Sequence, residues 1–284
     1  MKAVFAAFAT LLALVLFGPG AAAAPGPASP LVRAADGRLM APDVARIVGR
    51  GELLVAMPRT DSAPFFSEKA GVLSGIDVDL ARTIGRELGV PVRFERGGAN
   101  IDAVVEMVGN GQADLAIGRL GRTLKRSQIV HFSTPYMSLR HAMLINRVRF
   151  AAIAGERPLD QVMRSFKGQI GVIANTSWEE FGRLSFPLAS LKTYPSWDAL
   201  VEAVKRGEVV AAYRDELEVR AVLERDARLA LTLRTVSFSD AESALSVMVG
   251  VRDATLLSFV NEVIAARRDR SVARTANPTL SRNK

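Results

Sequence analysis

The stretch DVDLARTIGRELGVPVRF (77–94) decides the fold. Val78, Ala81, Ile84 and Leu88 recur at helical spacing and give one apolar face. Asp77 is placed to cap the start of this helix, Gly89 stops it, and Val92, Arg93 and Phe94 open a strand. Upstream, 43–51 reads as a short helix and ELLVAM (52–57) as a buried strand, followed by a loop, 58–71, whose apolar feature is Pro64-Phe65-Phe66. Downstream, Asn100 can cap a helix over 101–108, and DLAIG (114–118) is a short buried strand. Residues 131–136 are extended, and 142–146 form another strand. This β-α-β-α-β order predicts a mostly parallel sheet with helices on both faces.

The order then restarts. Strands are expected at 170–173, 209–213, 231–236 and 245–251, and helices at 178–183, 197–206, 216–224 and 256–267. Two α/β units therefore stand in series, with the last strand and helix free to return to the first. The expected division is a signal peptide at 1–23, a flexible segment at 24–41, a first lobe at 42–143, a second at 144–246, a return to the first at 247–268, and a flexible tail at 269–284.

Composition narrows the chemistry. The chain has 284 residues, 49% hydrophobic and 23% charged, which suits a globular protein of one large or two modest units. The net charge is +8, but Lys and Arg are interleaved with Asp and Glu, and no zinc-finger spacing or long basic block is present, so no nucleic-acid partner is expected. With no cysteine and 2 histidines, disulfides and thiolate catalysis are excluded, and neither a metal site nor a Ser-His-Asp triad is expected. Lys2, the apolar run 3–17 and Ala21-Ala22-Ala23 together read as a cleaved secretory signal, which places the mature chain outside the cytoplasm.

In open α/β sheets, ligands sit at the carboxyl ends of the strands. After DLAIG, Thr123 at a helix start offers backbone N–H groups to an anion, and Arg126 offers a planar fork to a carboxylate, with Arg119 and Arg122 adding charge. A solvated basic turn is the plain alternative. After QIGVI, Asn175 and Thr176 precede a helix, either as a second anion site or as a simple cap. After VVAAY, Asp215 can pair with an ammonium group or cap the 216–224 helix. Anion donors and a carboxylate on two lobes match an α-amino acid bridging them.

In this order the motifs resemble the amino-acid family of bacterial extracellular solute-binding proteins. These are two-lobed, type II periplasmic binding proteins that deliver ligands to ABC importers. The resemblance runs through AGVLSGIDVDLARTIGRELGV (70–90), VEMVGNGQADLAIG (105–118), TLKRSQIVHFSTPY (123–136), FKGQIGVIANTSWEE (166–180), ALVEAVKRGEVVAAYRDE (199–216) and LSVMVGVRDATLLSFVN (245–261). It implies crossover strands near 142–146 and 245–251. It also implies that Arg126 binds the ligand carboxylate, that Thr176 assists, that Asp215 holds the amino group, and that the backbone of Arg119 and Gly121 completes the pocket. Asp77 and Asp79 fall in the family motif as a cap and a first-turn charge. Gly121 stands where the family has Ser or Thr, Asn175 where it has Gly, and Ser62 where an aromatic often stacks on the ligand. Arg119 replaces a small residue; turned into the cleft it would favour an acidic ligand, and a surface arginine is the alternative.

Phe65, Phe66, Trp178 and Trp197 are candidate ligand walls, with Trp197 read as packing beside Leu200; His131 and His141 are read as structural. The expected protein is a cofactor-free, non-catalytic monomer that captures an amino acid or similar zwitterion or anion for an inner-membrane permease in the periplasm. The alternatives are a cyclohexadienyl-dehydratase-like enzyme, for which Glu179, Glu242 and Asp253 are the nameable acids, and a sensory or partner protein.

Overall fold

The run Leu53–Ala56 forms a strand with Leu53, Val55 and Ala56 fully buried, as a strand covered on both faces requires. It is a central strand of one of two five-stranded sheets in the computed structural model, which describes residues 31–276. The expected signal peptide lies outside those residues.

The first sheet has the order Val92–Glu95, Leu53–Ala56, Leu115–Ala116, Met248–Gly250, Val130–Phe132. The second runs Ser190–Tyr194, Gln169–Ile173, Ala211–Asp215, Met137–Asn146, Leu233–Leu245. In each, the first three strands pair in parallel and the fourth is antiparallel to both of its neighbours. The two lobes thus share one topology, an α/β arrangement built twice. Apolar clusters cover both faces of both sheets, one pair around Leu53, Ile84, Val104 and Val130, the other around Val172, Tyr213, Leu144 and Leu200.

The helix Ile76–Leu88 buries Val78, Leu80, Ala81, Ile84 and Leu88, and ends at left-handed Gly89. Its start corrects the sequence expectation. The cap position is Gly75, at φ +129, where a Cβ would stand 2.3 Å from the Phe65 carbonyl oxygen, so a side chain has no room. Asp77 caps nothing. It is fully buried and accepts a hydrogen bond from the backbone N–H of Arg119 at 2.7 Å.

The lobes are joined by two long paired strands, Met137–Asn146 and Leu233–Leu245, with a register shift between Ser237 and Glu242. The second crossover therefore precedes the expected 245–251 segment, whose Met248–Gly250 already belongs to the first sheet. Several elements lacked a sequence signal: the hairpin Ser67–Lys69 with Val72–Ser74 inside the expected loop, the helices Arg147–Ala154 and Leu159–Arg164, and the polar edge strand Ser190–Tyr194. Val32–Arg33 and Leu39–Met40 pair within the segment expected to be flexible, and the last helix continues to Ala276.

Candidate functional site

The carboxyl ends of the parallel strands in both sheets face a cleft of about 430 Å³ between the lobes. The loops after Leu53–Ala56, Leu115–Ala116, Gln169–Ile173, Ser190–Tyr194 and Ala211–Asp215 all contribute to its wall, as the general rule for such sheets requires. Ser62, Arg119, Gly121, Arg126 and Thr176 line it; Asn175 and Asp215 do not.

Arg126 is buried at the first-lobe wall. Its Nε and Nη2 donate to Asp102 Oδ1 at 3.1 and 2.8 Å, and its Nη1 donates to the Gly121 carbonyl at 2.9 Å. Three of the five guanidinium N–H groups are thereby fixed, and two remain. Burial alone would push the Asp102 carboxyl up, but Lys125 and Arg126 hold it below its ordinary range. Thr123 Oγ1 accepts from the Arg126 N–H at 3.1 Å, and the turn it caps is a single 3-10 turn, Arg126–Gln128. The N–H groups expected to attract an anion here have one from the opposite lobe: Glu180 accepts from Leu124 at 2.6 Å and from Lys125 at 3.3 Å.

Arg119 points into the cleft, in a left-handed backbone conformation at φ +58 that Asp77 stabilises from behind. Its guanidinium stacks over Phe65 at 4.9 Å and donates to Ser62 Oγ at 2.8 Å and Glu218 Oε1 at 2.6 Å. It also pairs with Asp215. The aspartate expected to receive an ammonium group thus holds a guanidinium from the other lobe, while its Oδ1 caps the next helix by accepting from Glu218 N–H at 3.1 Å. Phe65 does not line the cleft; it is the buried base of the Arg119 stack.

On the second lobe, Thr176 is a helix cap: Oγ1 accepts from Trp178 N–H at 3.3 Å and donates to the Ile173 carbonyl at 2.7 Å. Asn175 sits at φ +56, a conformation that Asn tolerates better than most side chains, and its N–H donates to Glu179 at 2.5 Å. Gly121 allows the lobes to approach, since a Cβ there would stand 2.8 Å from Ser177 Oγ. Trp178 and Trp197 both line the cleft. Trp197 is therefore a wall as well as packing, and the Arg214 guanidinium lies over its ring at 5.2 Å. Behind Trp178, buried His141 is boxed by Trp178, Phe181 and Tyr213, and burial pushes its pKa down to about 4.

Asp102, Glu180, Arg214 and Glu218 were not singled out as site residues from the sequence. Glu218 carried a signal, a D-x-x-E capping pattern with Asp215, that could have placed it. Asp102 and Glu180 read as ordinary first-turn acids; Asp102 finds its partners, Lys125 and Arg126, within the first lobe, and only the meeting of the lobes brings Leu124 and Lys125 to Glu180.

Two mixed sheets, two connecting strands and a polar cleft between them define a two-lobed solute-binding fold. Residues 54–277 match the model of the bacterial extracellular solute-binding proteins, family 3, and the chain belongs to that family. The L-cystine-binding protein TcyJ of Escherichia coli K12 is 24% identical over 221 residues, which are 78% of this chain and 79% of that protein. The solved substrate-binding protein AbpA of an amino acid ABC transporter from Streptococcus pneumoniae, bound to L-arginine, superposes with a TM-score of 0.63 at 24% identity, covering 80% of this chain and 92% of that one. An ancestral amino acid-binding protein described as a precursor of cyclohexadienyl dehydratase superposes with a TM-score of 0.62 at 23% identity, covering 80% and 93%.

Proposed function

We propose that this chain is a periplasmic binding component that closes on an amino acid or a similar small zwitterion or anion and presents it to an inner-membrane ABC permease. It works as a monomer, without a cofactor and without turnover. Relatives named for cystine and arginine binding support a solute of this kind. The observation that carries the reading is Arg126, a buried guanidinium at the cleft wall with two N–H donors left for a carboxylate. The roles of Thr176 and Gly121 follow from it: one orders the opposing helix start, the other lets it come close.

The dehydratase reading needs a general acid in the cleft. Glu179 is spent on Asn175 and Arg183, Asp253 is paired with Arg46, and Glu242 stands exposed on the crossover strand; none of the three lines the cleft, and of the acids that do, Asp61 and Glu218 are paired with arginines and Asp198 is exposed.

Calorimetric titration of the mature protein with a panel of amino acids and small carboxylates tests the reading. Arg126→Lys keeps the charge and removes the fork, and a bound carboxylate should then weaken by tenfold or more, matching roughly 1.5–3 kcal/mol for a hydrogen bond to a charged group. Unchanged affinity in that variant would refute the assignment.

A further inference from the structure

The charges of the cleft are sorted in a way that bears on which solute it takes. Three buried or half-buried carboxylates at the wall already have cations, and the fully buried Asp77 behind Arg119 is held by a backbone N–H. Asp215 and Glu218 are on Arg119, and Asp102 is on Arg126 and Lys125. The lining Asp61 is paired with Arg96, and Asp198 is exposed at the mouth. Arg119 is held by its stack on Phe65, by Ser62 and by two carboxylates, with its side chain only 9% exposed. An incoming ammonium group would meet the Arg119, Arg126 and Arg214 guanidinium groups, and among the described lining acids only the exposed Asp198 is without a cation.

The donors are less completely used. Arg214 lies over Trp197 at the second-lobe wall with its side chain 16% exposed. Its Nε is 3.5 Å from Asp215 Oδ2 and its Nη2 is 3.6 Å from Glu218 Oε1, ion contacts longer than good hydrogen bonds. The buried Nε makes no well-formed hydrogen bond. Burial lowers the Arg214 pKa, the mark of a cation whose desolvation its neighbours do not fully offset. Across the cleft, Arg126 keeps two free N–H groups. Arg59 and Arg225 stand exposed on the rim, where they favour the approach of an anion.

We propose that the solute is a small dicarboxylate without an α-ammonium group, with one carboxylate on Arg126 of the first lobe and the other on Arg214 of the second. Arg119 is then a specificity residue, because it occupies the acids that an amino group would need. The proposal rests on the solute-binding reading above and narrows it.

The test is calorimetry of the mature protein with succinate, glutarate, glutamate, alanine and propionate. Succinate or glutarate should bind at least tenfold more tightly than glutamate or alanine. Arg214→Gln should lower dicarboxylate affinity at least tenfold and leave propionate affinity within about twofold, a selectivity that a purely structural Arg214 would not produce. Arg119→Gln leaves two carboxylates to one guanidinium and should shift preference toward glutamate. Tighter binding of an α-amino acid than of its des-amino counterpart, or an unchanged dicarboxylate-to-propionate ratio in Arg214→Gln, overturns this proposal and leaves solute binding standing. No heat from any of the five, with the variants and wild type alike folded by circular dichroism, overturns this proposal, and no heat from the wider amino-acid and carboxylate panel overturns the solute-binding reading as well.

Discussion

Two buried groups flank the cleft and titrate in opposite senses. Asp77 is fully buried; burial raises its pKa from 3.8 to about 6, against the opposing pull of the Arg119 N–H, the Tyr136 hydroxyl and the charges of Arg119 and Arg267. Between those values the native state keeps a proton that the unfolded chain has released. The stabilisation is complete below 3.8 and is lost as pH rises through about 6. His141 does the reverse. Burial lowers its pKa from 6.5 to about 4, with Asp215 opposing, so its contribution is present above 6.5 and lost as pH falls through about 4. At about 1.4 kcal/mol per pH unit, each is worth about 3 kcal/mol, and in the wild type the two nearly cancel. Single variants should uncover them. Relative to wild type, Asp77→Asn should gain about 3 kcal/mol between pH 4 and 6.5, and His141→Phe should lose about 3 kcal/mol over the same interval. Urea unfolding at half-unit pH steps measures both. Flat difference curves for both variants would refute the burial argument, as would two curves of the same sign.

Gly121→Ser supplies the hydroxyl that the family resemblance implies for this position, but its Cβ would press on Ser177 Oγ at 2.8 Å and Phe181 at 3.4 Å. The variant should populate a more open form, read as a larger radius of gyration by small-angle X-ray scattering; an unchanged radius would show that Ser177 can yield. Asp114, 1% exposed, accepts from Arg46 at 2.9 Å and the Leu54 N–H at 2.8 Å and also pairs with Arg50, so Asp114→Ala should cost about 3–5 kcal/mol in urea unfolding. A loss below about 1 kcal/mol would mean that solvent replaces the carboxylate, against what is expected of a buried ion pair.

The elements that sequence periodicity reached were those whose burial is local to them. Ile76–Leu88 shows its apolar face in the residues themselves, and Asn100 and Thr176 cap helices wherever those helices pack. Ser190–Tyr194 was missed because an edge strand is half solvated and its sequence, SLKTY, has no apolar alternation. The inner strand Ala211–Asp215 starts and ends two residues later than its apolar run suggests, which puts Arg214 and Asp215 at the strand's end, where Arg214 lines the cleft and Asp215 meets Arg119. Asp77 looked like a cap because an acid at a helix start usually is one; only the third dimension brings the Arg119 N–H to it. The same holds for Glu180 and Glu218. Their sequence neighbourhoods place them on helices, while their partners, Leu124, Lys125 and Arg119, come from the other lobe. Arg119 is the instructive case: the chain gave two readings for its side chain, and the position of Asp215 opposite it selects the inward one.

The chain has 2 tryptophans, Trp178 and Trp197, and both line the cleft, so their emission reports on that cleft alone. The most direct measurement is intrinsic fluorescence of the protein titrated with the small carboxylates and amino acids used for calorimetry. A solute held between the lobes should give a saturable change in tryptophan emission with the same dissociation constant as the heat signal, and Arg126→Lys should weaken both together. Calorimetric binding with no change in tryptophan emission would place the solute elsewhere and contradict the cleft as the site.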